Sequence, residues 1–379
     1  MKDAFNIPGK MMIAGEWAVL EAGVPCIVAA IDKGVSVTLE PHASGIVLDA
    51  PDLKIAPKHG KFDGARFAWT DAVDDAEKEK LLIATHAIST TLRYLSDKKV
   101  FIRTFGITTA SQECVVATTD GTVAKVGFGS SAASCVGIIK AILEFHDQNV
   151  ETQKGLEVVF KLACIAHFEA QGKVGSGFDV AASTFGGLMH YKRFDPVWLA
   201  EQFKANKKLH GVVDAKWPAL HLEPLKAPKN FRLLLGYTGP DTSTKEMIKK
   251  MDATKTERRA AYDLIIREIK DTVERIVHYF RSSNSAEIMK GLRHNRRLLQ
   301  DLSRLSGLGF ETPKLEILAN IAEQHKAAGK FSGSGGGGVG IAVCFDAQTE
   351  KKIVADWKKN GITPVDAHIA PRAIVTELE

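Results

Sequence analysis

The sequence predicts an α+β, or mixed α/β, enzyme built in two halves, 1–195 and 196–379. Three observations carry that prediction. Strand-like and helix-like stretches alternate along the chain, a Pro-bearing irregular stretch interrupts them near 195–230, and glycine-rich turns stand at several of the junctions. A chain of 379 residues suffices for one large or two moderate domains. No internal repeat of roughly 20–50 residues occurs, which excludes a solenoid.

The elements follow in order. "CIVAAIDKGVSVTLEP" opens as a continuous apolar run and then alternates through Val35, Val37 and Leu39, which predicts strand. "EKEKLLIATHAISTTLRYLSD" carries Leu81, Leu82, Ala84, Thr85, Ile88, Leu92 and Leu95 at helical spacing. "SSAASCVGIIKAILEFHDQ" puts Ala132, Cys135, Val136, Ile139, Ile142 and Leu143 on one helical face. "GLEVVFKLACIAHFEAQ" predicts a further helix, "GGLMHYKRF" a strand after a glycine turn, and "FRLLLGYTG" a buried strand. Long charged helices follow to about residue 305, then "TPKLEILANIAEQHKAAG" as a helix with Pro313 in its first turn. The end predicts loop and strand in "KFSGSGGGGVGIAVCFD", helix in "AQTEKKIVADWKKNG" and strand in "ITPVDAHIA".

Charge and cysteines narrow the function classes. Lys+Arg 50 against Asp+Glu 45 leaves +5 with no long basic run, which argues against nucleic acid as a partner and suits a basic pocket for a small anion. The five cysteines are scattered, odd in number and never spaced as CxxC, so they predict buried thiols in a reducing compartment rather than disulfides or a zinc site. Glycines, a lysine and a glutamate interrupt the N-terminal stretch, and no window approaches the ~18 apolar residues of a membrane span. The expectation is a cytoplasmic protein with no membrane partner, as a monomer or homodimer.

The stretch "KVGFGSSAASCVG" (125–137) is where chemistry enters. Gly127 and Gly129 permit positive φ and close backbone approach, Ser130 stands at the expected N-cap, and the first N–H groups of the helix favour an anion. Ser131 offers a second hydroxyl for a phosphate-bound Mg²⁺. Two readings stay open on these residues alone: a tightly packed capped helix start, or a loop whose backbone touches phosphate. Neither GxxxxGK[ST] nor GxGxxG spacing is present, since Ala132 occupies the third glycine position.

Two further glycine-bearing segments share the chain, "PGKMMIAGEWAVLEAGVPCIVAAID" from residue 8 and "SGSGGGGVGIA" from residue 332. In this order and at these distances, the three loops resemble the three motifs of the GHMP kinases. The similarity runs from residue 8 to about 366. "AQGKVGSGFDVAASTFGG" (170–187), "GYTGPDTSTKEM" (236–247) and "GITPVD" look most like the branch of that family acting on 5-phosphomevalonate.

The resemblance implies an N-terminal ATP-binding domain of ribosomal S5-like fold with a left-handed βαβ unit, a C-terminal ferredoxin-like domain, and an active site in the cleft between them. It implies ATP and Mg²⁺, a small-molecule acceptor, and transfer of a phosphoryl group to the phosphate of 5-phosphomevalonate. By motif position, Lys10 matches the lysine near the transferred phosphoryl and Asp179 the active-site aspartate; on its own, Asp179 reads equally as a turn or capping residue. Gly127, Phe128, Gly129, Ser130, Ser131 and Ala132 match the nucleotide loop, and Ser131 the Mg²⁺ serine, with Glu169 as a second metal ligand. Lys10, Lys173, Ser176, Gly177, Lys245, Ser332 and Gly333 are the expected acceptor contacts. Arg193 is a further candidate cation, and His167 lies on the helix that runs into this region. Each lysine or arginine also suits a solvated surface.

The chain departs from the usual third motif, with Ser334 for Ala, Gly338 for Asp and Val339 for Cys. Trp17 stands where Tyr or His is common and Phe128 where Leu is common. The missing carboxylate at 338 keeps two alternatives open: another acceptor, such as mevalonate or a sugar, or a ligand-binding relative with weakened catalysis.

Overall fold

The structure is a computed structural model that describes residues 3–111, 115–118, 121, 123–170, 175–205, 207–240 and 244–373. In order, the first half contains β1 (Asp3–Ala14), β2 (Pro25–Pro41), β3 (Ile46–Asp49), β4 (Lys58–Phe62), β5 (Phe67–Trp69), α1 (Asp75–Asp97), β6 (Phe105–Ala110), β7 (Val115–Ala117) and β8 (Val123–Lys125). Next come α2 (Ser130–Phe145), α3 (Gln153–Ala170), α4 (Phe178–Phe185), β9 (Leu188–Lys192), α5 (Pro196–Lys204), α6 (Leu209–Asp214) and β10 (His221–Leu225). The second half contains β11 (Arg232–Tyr237), α7 (Thr244–Glu257), α8 (Arg259–Arg281), α9 (Ser285–Ser306), α10 (Pro313–Gln324), β12 (Ala328–Phe331), β13 (Val339–Cys344), α11 (Ala347–Lys359) and β14 (Thr363–Val365).

The first half is a mixed sheet in the order β10-β9-β2-β6-β3-β4-β5, with β1 also paired along β2. Its pattern explains the apolar run at 26–31. Cys26, Val28 and Ala30 of β2 enter the core beneath α1–α4, while Ile27, Ala29 and Ile31 enter the core shared with α8 and α9. A strand covered on both faces has no reason to alternate. Past Lys33 only one face is covered, and Val35, Val37 and Leu39 alternate accordingly.

In the second half β11, β12, β13 and β14 form an antiparallel sheet in the order β12-β13-β11-β14. Numbered from β11, this is β-α-β-β-α-β with order 4-1-3-2, the ferredoxin-like arrangement. The expected C-terminal fold is therefore present.

Three expectations need correction. The expected division at 195/196 falls too early: α5 and α6 bury Leu199, Leu209 and Val212 in the first core, and β10 pairs with β9, so the first sheet runs through Leu225. The helix expected over 312–329 stops at Gln324, because Lys326 takes a left-handed conformation (φ 61°) and the chain turns into β12. On α1, Leu82 faces solvent, although the remaining positions of that face are covered.

On α2, all six predicted core residues are buried. Among the described residues Cys26, Cys135, Cys164 and Cys344 are buried free thiols, and no helix is long and apolar enough to cross a membrane.

Candidate active site

Lys10 lies on β1, which must approach the 127–129 turn closely. Its N–H donates to the Phe128 carbonyl at 2.8 Å, and a Cβ at Gly9 would stand 2.6 Å from that oxygen. The Lys10 ammonium donates to the Gly127 carbonyl at 3.0 Å and lies 6.0 Å from the Phe178 ring centroid. Its methylenes lie along Gly129, where a Cβ would come within 3.1 Å of Cγ.

Gly129, with φ 82°, is the N-cap of α2; Ser130, expected in that place, is the first helical residue. The reason is steric, since the left-handed turn beside Lys10 leaves no room for a side chain. Intrahelical bonding begins with Ala133 N–H donating to Gly129, so the N–H groups of residues 130–132 have no acceptor within the helix. Ser131 is exposed, and its Oγ lies 3.4 Å from Nε2 of the buried His167.

Helix α4 starts the same way. Gly177 (φ 78°) is its N-cap, and a Cβ there would meet the Tyr191 hydroxyl at 2.8 Å. That hydroxyl donates to the Ser176 carbonyl at 2.6 Å. Asp179 follows in the first turn, with Oδ1 accepting Val180 N–H at 2.9 Å. Burial pushes the Cys135 and Cys164 thiols up, and the Asp179 charge adds to it. Ser183 Oγ of α4 donates to the Pro8 carbonyl at 2.8 Å and ties this helix to β1.

The third wall is the loop between β12 and β13. Its glycines 333 and 335–338 all have positive φ, and the loop is fastened at Ser332, Ser334, Gly336 and Gly338. Ser332 Oγ accepts Met12 N–H and donates to the Met12 carbonyl, each at 2.9 Å. Trp17 Nε1–H donates to the Ser334 carbonyl at 3.2 Å, Gly336 N–H to Phe310 at 2.8 Å, and Thr238 N–H to Gly338 at 2.8 Å. Gly338, where a carboxylate is usual, is thus a pinned left-handed residue (φ 68°).

These three walls enclose a cavity of about 410 Å³, within the range for a small-molecule site. Lys10, Gly127, Gly129, Ser130, Ser131, Ser176, Asp179, Ser332 and Gly333 line it. Phe128 and Ala132 are fully buried beside it. Among the described residues Lys10 is the one lysine or arginine on its wall.

Other expected residues stand elsewhere. Glu169 does not line the cavity; its carboxylate lies 3.5 Å from His86 Nδ1 of α1. Arg193 is buried and donates to the Leu20 carbonyl. The Ser332 hydroxyl is committed to Met12. Lys173 and the side chain of Lys245 lie outside the described residues.

Residue-type reasoning missed two features. Trp17 has φ 64° and ψ −47°, and Ala18 N–H donates to the Glu16 carbonyl at 2.7 Å. This is a γ-turn of the rarer, strained hand, held by stacking of the indole on Phe310 at 5.0 Å. Directly before it, Glu16 pairs with Lys330 of β12, and both are buried. Burial opposes charge on each, raising the Glu16 pKa and lowering that of Lys330, while their mutual attraction opposes both shifts. A lysine two residues before a glycine loop carries no sequence signal of burial.

The chain is similar to known proteins over most of its length. Residues 93–187 match the family model for the GHMP kinases N terminal domain and 276–363 that for the GHMP kinases C terminal domain. A Streptomyces phosphomevalonate kinase is 31% identical over 95% of each chain. The structure of the Lin0012 protein from Listeria innocua is 28% identical with TM-score 0.88 over all of both chains. Phosphomevalonate kinase from Streptococcus pneumoniae, solved with phosphomevalonate and AMPPNP, shares the fold at TM-score 0.78, with 22% identity and 98% and 99% of the two chains covered.

Proposed function

The chain belongs to the GHMP kinases, and from that premise we propose that it is a phosphomevalonate kinase, transferring the γ-phosphoryl of ATP to the phosphate of 5-phosphomevalonate. One observation carries the reading: Lys10, the uncapped start of α2 and the Asp179-bearing start of α4 all line one cavity. Two helix starts with open N–H groups suit a reaction in which both substrates bring phosphate.

Phosphoryl transfer needs positioning and charge stabilisation more than covalent help. The N–H groups of 130–132 receive the nucleotide phosphates, and the Lys10 ammonium, already held at the Gly127 carbonyl, stabilises charge on the transferred group. An acceptor oxygen attacks phosphorus and the bond to ADP breaks. A phosphate monoester with second pKa ~6 is ionised at neutral pH, so no general base is needed. Asp179 therefore orients rather than deprotonates.

The exposed Ser131 hydroxyl and the half-buried Asp179 carboxylate, both on the cavity wall, fit Mg²⁺, which would neutralise phosphate charge when bound. Glu169 joins that set only on leaving His86. Lys173 and Lys245 remain the proposed partners of the acceptor's anionic groups, with the backbone at Ser176, Gly177 and Gly333 beside them.

The test is ADP release in a coupled assay offered 5-phosphomevalonate, mevalonate and a panel of sugars. Turnover should be at least about 100-fold more efficient with 5-phosphomevalonate and should stop in EDTA. Equal or better turnover of mevalonate or a sugar would replace this acceptor.

A further inference from the structure

Away from the reaction cavity, the strand pair at the edge of the first sheet gathers a second set of chemically competent side chains. His190 on β9 stands directly opposite Glu223 on β10, and Lys192 opposite His221, so all four share one face. His190 Nδ1 lies 3.1 Å from Glu223 Oε2, and His221 Nε2 lies 3.0 Å from the same oxygen. The three atoms lie within 4.8 Å of one another.

The hydrogen bonding of this group is awkward without a cation. Both imidazoles must donate to one oxygen that Arg281 of α8 already grips through Nη2 at 2.6 Å. If His190 donates through Nδ1, its Nε2 is a bare lone pair, and that atom is buried with no hydrogen-bond partner. Glu274 Oε2 of α8 lies 3.8 Å from it. A cation bound at Nδ1 reverses the tautomer, placing the proton on Nε2 facing Glu274, which is the usual outer support of a metal-bound histidine.

We propose that His190, His221 and Glu223 form a binding site for a transition-metal cation of the Zn²⁺ type, which fastens the β9–β10 edge to α8 through Arg281 and Glu274. Two imidazoles and one carboxylate are a common zinc set, and bonds of about 2.0–2.1 Å to tetrahedral zinc place neighbouring donors roughly 3.3 Å apart. The His221 side chain is 41% exposed, so solvent water is available as a fourth ligand.

Co²⁺ titration of the metal-stripped full chain tests the site. One equivalent should give the intense visible bands of four-coordinate Co²⁺, abolished by equimolar Zn²⁺. His221→Ala, at a half-exposed position, should remove the bands with ADP release in Mg²⁺ within about twofold of the parent; Glu223→Gln should weaken them at least about tenfold. Bands unchanged in His221→Ala, no saturable binding below about 100 µM, or only a pale six-coordinate spectrum displaced by Mg²⁺ would each overturn the proposal.

Discussion

Two kinds of helix start coexist in this molecule. Helices α1, α5, α9, α10 and α11 begin on Asp74, Asp195, Asn284, Thr312 and Asp346, whose side chains accept N–H groups of the first turn. Helices α2 and α4 begin on left-handed glycines with no cap from that residue, and both line the cavity. A helix can satisfy its leading N–H groups with its own side chain or leave them for something else. Helices α6 and α8 also start without a side-chain cap, on Lys208 and Arg258, and on α4 Asp179 accepts one first-turn N–H. What sets the two cavity helices apart is the left-handed glycine at the cap, which keeps side chains away from the leading N–H groups. With glycine at the cap the cost in helix stability is only about 0.3 kcal/mol per helix.

The largest way to break the contrast is Asp179→Ala at the mouth of α4. It should lower kcat about 1,000-fold while leaving the thermal unfolding midpoint nearly unchanged. Near-normal steady-state turnover would remove Asp179 from the proposed site.

Gly129→Ala puts a side chain where φ is 82° and Lys10 Cγ would lie 3.1 Å away. It should destabilise the fold by about 1–2 kcal/mol and raise the KM for ATP, the second effect separating it from a cap lost elsewhere. Denaturant titration and initial rates measure the two effects.

Ser131→Ala should shift the Mg²⁺ dependence of ADP release to several-fold higher concentration at little cost in stability; an unchanged Mg²⁺ titration counts against the hydroxyl as a ligand. Asp74→Ala sharpens the comparison from the other side. Asp74 and Glu77 form a reciprocal cap on α1, so its loss should cost about 1 kcal/mol with kinetics unaltered.

The smallest expected effect is a slope. His146 is buried, accepts Arg103 N–H at Nε2 (3.1 Å) and faces the Ile142 carbonyl with Nδ1 (2.7 Å), so it is neutral when folded. Burial lowers its pKa, and the unfolded chain therefore binds the proton more readily. Stability should fall as pH drops below about 6.5, and His146→Gln should flatten Tm against pH there.

The glycine loops teach a related lesson about legibility. In sequence the 127–132 and 332–340 segments look alike, rich in glycine and serine. In space the first leaves helix N–H groups open beside Lys10, whereas the second is fastened to Met12, Trp17, Phe310 and Thr238. Its Ser332 hydroxyl closes the two halves on each other, although the motif alone suggested a ligand contact. Composition reports that a backbone must turn sharply, and the partners of that turn are long-range.

Periodicity made α2 readable because its buried face repeats over sixteen residues. β12 was not readable, since four residues after a helix present no period, and its register exists only through β13. The 195–230 stretch looked like a boundary because its short elements, α5, α6 and β10, gain their stability by packing on the first core.

By itself the sequence determined the alternation of elements, the strand at β2 and the three glycine turns, because these depend on local backbone freedom and on spacing along the chain; Lys10, Ser131 and Asp179 were singled out through the motifs' resemblance to the GHMP kinases. Only the tertiary structure decided the buried Glu16–Lys330 pair, the strained Trp17 turn, the tie between Glu169 and His86 and the gathering of His190, His221 and Glu223. Charges and imidazoles carry no local mark of burial or partnership, since both depend on which distant segment the fold brings alongside.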